Sequence, residues 1–285
     1  MKWLDLAVCP HFSWPNAQVE IPFEGYKVVL QPRRHGPDDE IELASTISVF
    51  DTNGTSFEVG GTIASRFLSR LAWTHNGGVI ELFSIGSNNP ERPGRLGQGT
   101  YERSGWSQVK PWDFIYLPAA RGRGADLALG LYREGMSVNS VPFAFLSYFK
   151  VLNVYHGGGA GQKNWINRNL QHLWYKPAVD RLTALQRTEA DIGKYLYEEG
   201  RCAVAHAHGD PLVNPDNYVD RRRMQDDLWL MKELAGLFIE RELGVLSDSS
   251  FWKSLRENPD IEDGLLRKVV QKDGRIVYVP KQLIT

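Results

Sequence analysis

The chain has 285 residues, 42% of them hydrophobic and 24% charged, a soluble-globular composition long enough for one large or two ordinary cores. A formal charge of −1 and a pI near 6.7 exclude a global basic field for holding long nucleic acids, so any nucleic-acid site must be a local patch. Two cysteines, Cys9 and Cys202, give no disulfide framework, and no apolar run approaches about 18 residues, so a cytoplasmic location without membrane insertion is expected.

Taken in order, residues 1–120 have the texture of a mixed α/β domain. Tyr26 to Leu30 and Ile41 to Phe50 are strand-like, separated by the polar turn Arg33-Arg-His-Gly-Pro-Asp-Asp and closed by Asp51-Thr-Asn-Gly. A helix from Thr62 to Trp73 buries Ile63, Ala64, Phe67, Leu68 and Leu71, and Gly77-Gly leads into a third strand, Val79 to Ile85. Ser87 to Lys110 is poor in apolar residues and reads as a long loop, fastened afterwards by Trp106, Trp112, Phe114, Ile115 and Tyr116. Arg121-Gly-Arg-Gly reads as a boundary turn, with phosphate contact as the alternative.

Residues 121–246 change to helical periodicity, which makes the fold class α+β: a mixed α/β domain followed by an all-helical bundle. The first helix starts near Ala125 with Leu127, Ala128, Leu131 and Tyr132 on one side; the second runs from Pro142 to Val154. His156-Gly-Gly-Gly-Ala-Gly lacks the preceding strand and the Gly-Lys-Ser/Thr ending of a phosphate loop, because Asn164 follows Lys163, so it reads as an inter-helix loop. Trp165 to Tyr175 is another helix, with Arg168, His172 and Lys176 on polar positions and Pro177 as its breaker; Arg181 to Thr188 resumes the pattern. A helix from Ala190 onward carries Arg201-Cys-Ala-Val-Ala-His-Ala and stops at His208-Gly-Asp-Pro. Asn214, Asp216 and Asp220 offer caps for a long helix over Val219 to Gly244, built on Leu228, Met231, Leu234, Ala235, Phe238 and Leu243. Residues 247–285 form an extension whose strand-like Arg275 to Val279 returns to the first domain's sheet.

The elbow between the last two helices holds the densest set of reactive groups. At about 100° per residue, Arg201 and His206 lie roughly 140° apart on a regular helix, near neighbours but not stacked, so a second copy across a two-fold axis could complete the set. Cys202 and His206 share a face at i and i+4, a metal-compatible spacing, but further ligands are missing locally, and no metal or cofactor is expected. Cys202 between alanine and valine reads as a small packing residue rather than a nucleophile. An Arg and two His at a helix end can also be purely structural, through contacts with the helix carboxyl end.

Arg201 and His206, with four residues between them, and the wider string Tyr197-Glu-Glu-Gly-Arg-Cys-Ala-Val-Ala-His-Ala, resemble the HEPN superfamily. Within it they resemble the methylamine utilization protein MauJ family and related ApeA-like proteins. The resemblance spans about residues 125 to 245 and includes Leu131-Tyr-Arg-Glu-Gly, Phe145-Leu-Ser-Tyr-Phe-Lys-Val-Leu and Asn214-Pro-Asp-Asn. It implies a helical domain that dimerises and, in active members, a metal-independent ribonuclease; other members bind RNA or a protein partner without cleaving. Arg201 matches the motif arginine and His206 the motif histidine. His208 is a candidate second acid, and the run Arg221, Arg222 and Arg223 a candidate RNA contact. The sequence departs from the family pattern at Cys202, where active nucleases carry a polar residue such as asparagine.

Overall fold

The computed structural model describes residues 1–35, 42–51, 54, 56–89, 91, 93–94, 96–98, 116–206, 211–214, 218–258, 264–271 and 276–281. It divides into two units, Met1–Ala119 with Ser247–Thr285, and Ala120–Leu246. The fold is α+β. Among the described residues no helix is long and apolar enough to cross a membrane.

The first unit contains β1 (Trp3–Pro10), β2 (Val19–Phe23), β3 (Tyr26–Gln31), β4 (Arg34–His35), β5 (Glu42–Leu43), β6 (Ser45–Phe50), α1 (Phe57–His75), β7 (Val79–Ser87) and β8 (Gly97–Gln98). The second holds α2 (Arg123–Ser137), α3 (Val141–Leu152), α4 (Gly159–Asn169), α5 (Lys176–Leu185), α6 (Ile192–Tyr195), α7 (Ala203–Ala205) and α8 (Tyr218–Leu243). The chain then returns to the first unit as α9 (Asp248–Glu257), β9 (Leu266–Val270) and β10 (Ile276–Pro280).

Seven strands form one sheet in the order β7-β1-β6-β3-β2-β10-β9, and β4-β5-β8 form a small second sheet. Strands β2 and β3 are joined by Glu24 and Gly25, both at positive φ, as a two-residue hairpin turn requires. The expected single strand from Ile41 to Phe50 is instead two. Ala44 gives its N–H to Leu96 O at 2.9 Å, leaving β5 to pair with β4 and β8 while β6 joins the large sheet. Helix α1 starts earlier than expected because the Ser56 hydroxyl caps Val59 N–H at 3.2 Å, and it ends at Asn76 in the left-handed region. Of the expected long loop from Ser87 to Lys110, Gly94 is tied down: its N–H donates to Asp5 Oδ2 at 2.9 Å, and its carbonyl accepts from Gln31 Nε2 at 3.0 Å. Residues 99–110 of that loop, with Trp112, Phe114 and Ile115, lie outside the described residues; Tyr116 stacks on Phe251 with ring centroids 3.9 Å apart.

At the end of α1, His75 lies flat against Phe12, ring centroids 4.7 Å apart, and burial pushes its imidazole from 6.5 down to about 4. The unfolded chain therefore binds the proton more tightly. The contribution of His75 to stability is complete above about pH 6.5 and is lost as pH falls toward 4, by about 3 kcal/mol when fully developed. Urea unfolding of wild type and His75→Phe at pH 7 and pH 4.5 checks this, the variant being expected to lose less stability on acidification; parallel losses in the two proteins would contradict it.

In the helical unit, α2 buries Ala125, Ala128, Leu129 and Tyr132, whereas Leu127, expected on that side, is exposed. The glycine cluster is not wholly a loop: α4 begins at Gly159, where Gln162 Nε2 donates to His156 O at 2.7 Å and holds the turn. Pro177 starts α5 rather than breaking a helix, since proline suits the first turn, and the preceding segment ends as a 3₁₀ turn at Leu170–His172. Helix α8 is the central rod. It buries Met224, Leu230, Met231, Leu234, Ala235, Phe238 and Ile239, and ends where Gly244 takes positive φ and Val245 N–H reaches back to Ile239 O at 3.2 Å.

Candidate functional site around Arg201 and His206

The helix carrying the motif is not regular. Asp191 caps α6 by accepting Lys194 N–H at 2.8 Å, and Asn167 braces this start from α4, donating to Asp191 Oδ1 at 2.8 Å and accepting Gly193 N–H at 2.7 Å. From Leu196 to Cys202 the chain then winds as a π-helix, so the 100° count that placed Arg201 and His206 about 140° apart does not apply. Ala203 N–H bonds to Glu198 O, five residues back, and this leaves the Glu199 carbonyl to another donor. Regular winding resumes for one short turn, α7, and His206 leaves it at φ −122 and ψ 126 with its N–H on Cys202 O at 3.1 Å.

His206 is exposed, and Arg201 and Cys202 are half-buried. The Arg201 guanidinium sits 5.7 Å from the centre of the Tyr197 ring, with Nη1 3.7 Å from Cys202 Sγ, so Cys202 faces the guanidinium rather than only filling the core. After the motif the chain folds back, Val213 N–H bonding to Ala203 O at 3.2 Å and Asn214 N–H to Asp220 Oδ2 at 3.0 Å. His208 and Asp216 lie outside the described residues.

The arginine run divides. Arg221 is in the first turn of α8, its side chain outside the described part, and Arg222 is exposed. Arg223 turns inward: Nη1 donates to the Glu199 carbonyl at 2.9 Å, the acceptor released by the π-helix, and stands 3.8 Å from Asp227 Oδ2. Asp227 is fully buried and central to a network. Arg181 of α5 donates from Nε to its Oδ1 at 2.8 Å, and the Tyr195 hydroxyl donates to its Oδ2 at 2.9 Å while accepting from Arg181 Nη2 at 3.1 Å. Burial pushes the Asp227 carboxyl up against the opposing pull of Arg181, and desolvation likewise raises the Tyr195 phenol. Three elements, α5, α6 and α8, are thereby pinned to the carbonyl beside Arg201.

Residues 128–240 match the family model described as methylamine utilization protein MauJ. No curated protein and no solved structure matches the chain. The MauJ-like segment runs from within α2 to near the end of α8, so it contains the motif and the whole Asp227 network.

Sequence reasoning had overlooked Asp227, although a signal was present. On α8 it falls three residues after Met224 and four before Met231, on the buried stripe, where an aspartate needs a partner. Gly200 is the other overlooked position. A Cβ there would meet Phe145 Cζ at 2.5 Å, and Phe145 is fully buried, so the ring cannot easily yield. Gly200→Ala is expected to destabilise the MauJ-like segment by about 1–3 kcal/mol through overpacking, read as a lower urea midpoint; an unchanged midpoint would show that the bundle accommodates the methyl group.

Proposed function

We propose that the helical unit is a HEPN-like, metal-independent endoribonuclease acting as a homodimer on RNA. The observation that supports this reading is the ending of the motif helix. The chain leaves α7 at an exposed His206, while the π-helix carries the Arg201 guanidinium over Tyr197 in the same short element. In the proposed reaction His206 removes the proton from a ribose 2'-hydroxyl, O2' attacks the adjacent phosphorus, and Arg201 offsets the charge gathering on the phosphoryl oxygens. The P–O5' bond breaks, and the leaving 5'-oxygen takes a proton from His206 of the second protomer or from His208. The products are a 2',3'-cyclic phosphate and a 5'-hydroxyl.

Purified protein in EDTA is the test: RNA should be cut to 2',3'-cyclic phosphate ends while DNA of the same sequence, lacking the nucleophile, stays intact. A broad panel of RNAs left whole would overturn the nuclease reading.

One observation favours a second reading, a non-catalytic RNA-binding or adaptor module that dimerises through the helical unit. Arg223, the candidate phosphate contact, is tied to Glu199 and Asp227, and Cys202 stands where a polar side chain would accompany Arg201. Under that reading RNA remains uncut, and self-association at micromolar concentration in sedimentation persists.

A further inference from the structure

The turn between α4 and α5 carries an aromatic surface separate from the Arg201 motif. Trp174 is 77% exposed, Tyr175 39% and Trp229 of α8 37%, far from the usual fate of such rings. They form a row: Trp174 and Tyr175 have centroids 6.5 Å apart, and Tyr175 and Trp229 5.8 Å. The row is held in place, because both Trp174 N–H and Tyr175 N–H donate to Glu233 Oε1, at 2.7 and 2.8 Å. That carboxylate is spent on the backbone.

Basic groups border the rings. The Lys232 ammonium sits 6.0 Å from the Trp229 ring centre and 6.0 Å from that of Tyr132, and its described contacts include no carboxylate. Burial pushes it below the ordinary lysine value, a sign that its charge is incompletely compensated. Lys176 follows the aromatic pair in an exposed ion pair with Asp180. On the other side, Arg168 lines an open cleft of about 650 Å³ with Asn167 and Gln171, just ahead of the turn.

We propose that Trp174, Tyr175 and Trp229, bordered by Lys232, Lys176 and Arg168, form a stacking platform for unpaired RNA bases. A ligand for this surface must bring flat π-faces and negative charge together, and a single strand does so with each nucleotide. Every base has a π-face, so binding is tolerant of sequence. A base-paired duplex hides those faces. A protein partner would satisfy the rings but would leave the uncompensated lysine without an anion unless it were acidic. RNA as the ligand rests on the function proposed above; the platform itself requires no cleavage.

The test uses the full chain in EDTA with fluorescein-labelled 2'-O-methyl oligo(U), which cannot be cleaved, an oligo(dT) of equal length, and a blunt RNA duplex. Anisotropy is expected to show both single strands binding more tightly than the duplex, with quenching of tryptophan fluorescence. Trp174→Ala should weaken binding about 5- to 150-fold, the range measured for loss of one base–aromatic stack. Trp174→Phe should restore most of it, a recovery that loss of a merely structural role would not give. Because Trp174 lies on the surface, the alanine variant keeps its core, and unchanged circular dichroism verifies this. Binding of neither single strand up to about 100 µM, the weak end of non-specific association, overturns the platform. So does a duplex bound equally well, or Trp174→Ala indistinguishable from wild type. Strands bound through Trp174 with RNA left uncut would reject the nuclease and keep the platform.

Discussion

His206→Ala is expected to lower RNA cleavage by about 10²- to 10⁴-fold, the usual loss when a positioned proton-transfer group is removed. The side chain is exposed at the end of α7, and its backbone N–H, not its ring, makes the bond to Cys202 O, so the variant should fold with an unchanged circular dichroism spectrum. Arg201→Ala should produce a comparable loss by removing charge stabilisation at the phosphoryl group. Cys202→Asn tests the departure from the family pattern. Asparagine places a stronger acceptor beside Arg201 Nη1 than the sulfur now 3.7 Å away, and cleavage should rise. End-labelled RNA resolved on a gel, with treatment that opens cyclic phosphates, reads all three variants. If His206→Ala cuts as fast as wild type, the activity belongs elsewhere and the adaptor reading stands.

Asp227→Ala should be the most damaging single change to stability. Removing one partner of a buried ion pair costs about 3–5 kcal/mol, since the other charge is left without compensation. Asp227 is fully buried, but the Arg181 side chain keeps 20% exposure and can recover some hydration, which places the expected loss near the lower figure, about 3 kcal/mol. The loss should appear as a lower urea midpoint with little change in slope. Asp227→Asn keeps the shape and an acceptor for Tyr195, so it should cost less than alanine. A loss below about 1 kcal/mol for Asp227→Ala, the level of an exposed pair, would show that the network is screened by solvent.

Parts of the fold were legible because their periodicity is local. Helices α1 and α8 have apolar residues at three- and four-residue intervals, and β3 is rich in valine and leucine between turn signals. Strand β1 was not legible. It is buried over Trp3 to Val8 with Asp5 in its middle, and a strand packed on both faces shows no alternation. Strand β2 was hidden by Pro22, which cannot donate to a ladder. The sheet tolerates it because β10 pairs only with Val19 and Glu20, leaving no donor required on that side.

At the candidate site, the sequence by itself determined the chemical groups, Arg201, Cys202 and His206, their place between two helices, and the resemblance later matched over residues 128–240. It could not determine how the motif is wound. Leu196 to Cys202 contains ordinary helix formers, and only tertiary contacts distinguish its π-helix from a regular one. Gly200 lets the Phe145 ring approach the backbone, and Arg223, more than twenty residues later, takes up the carbonyl that the wider winding releases. Arg181 and Tyr195 supply the partners that let Asp227 be buried. Those partners come from separate helices, so the winding beside Arg201 exists only once the bundle has closed, which no local spacing can express.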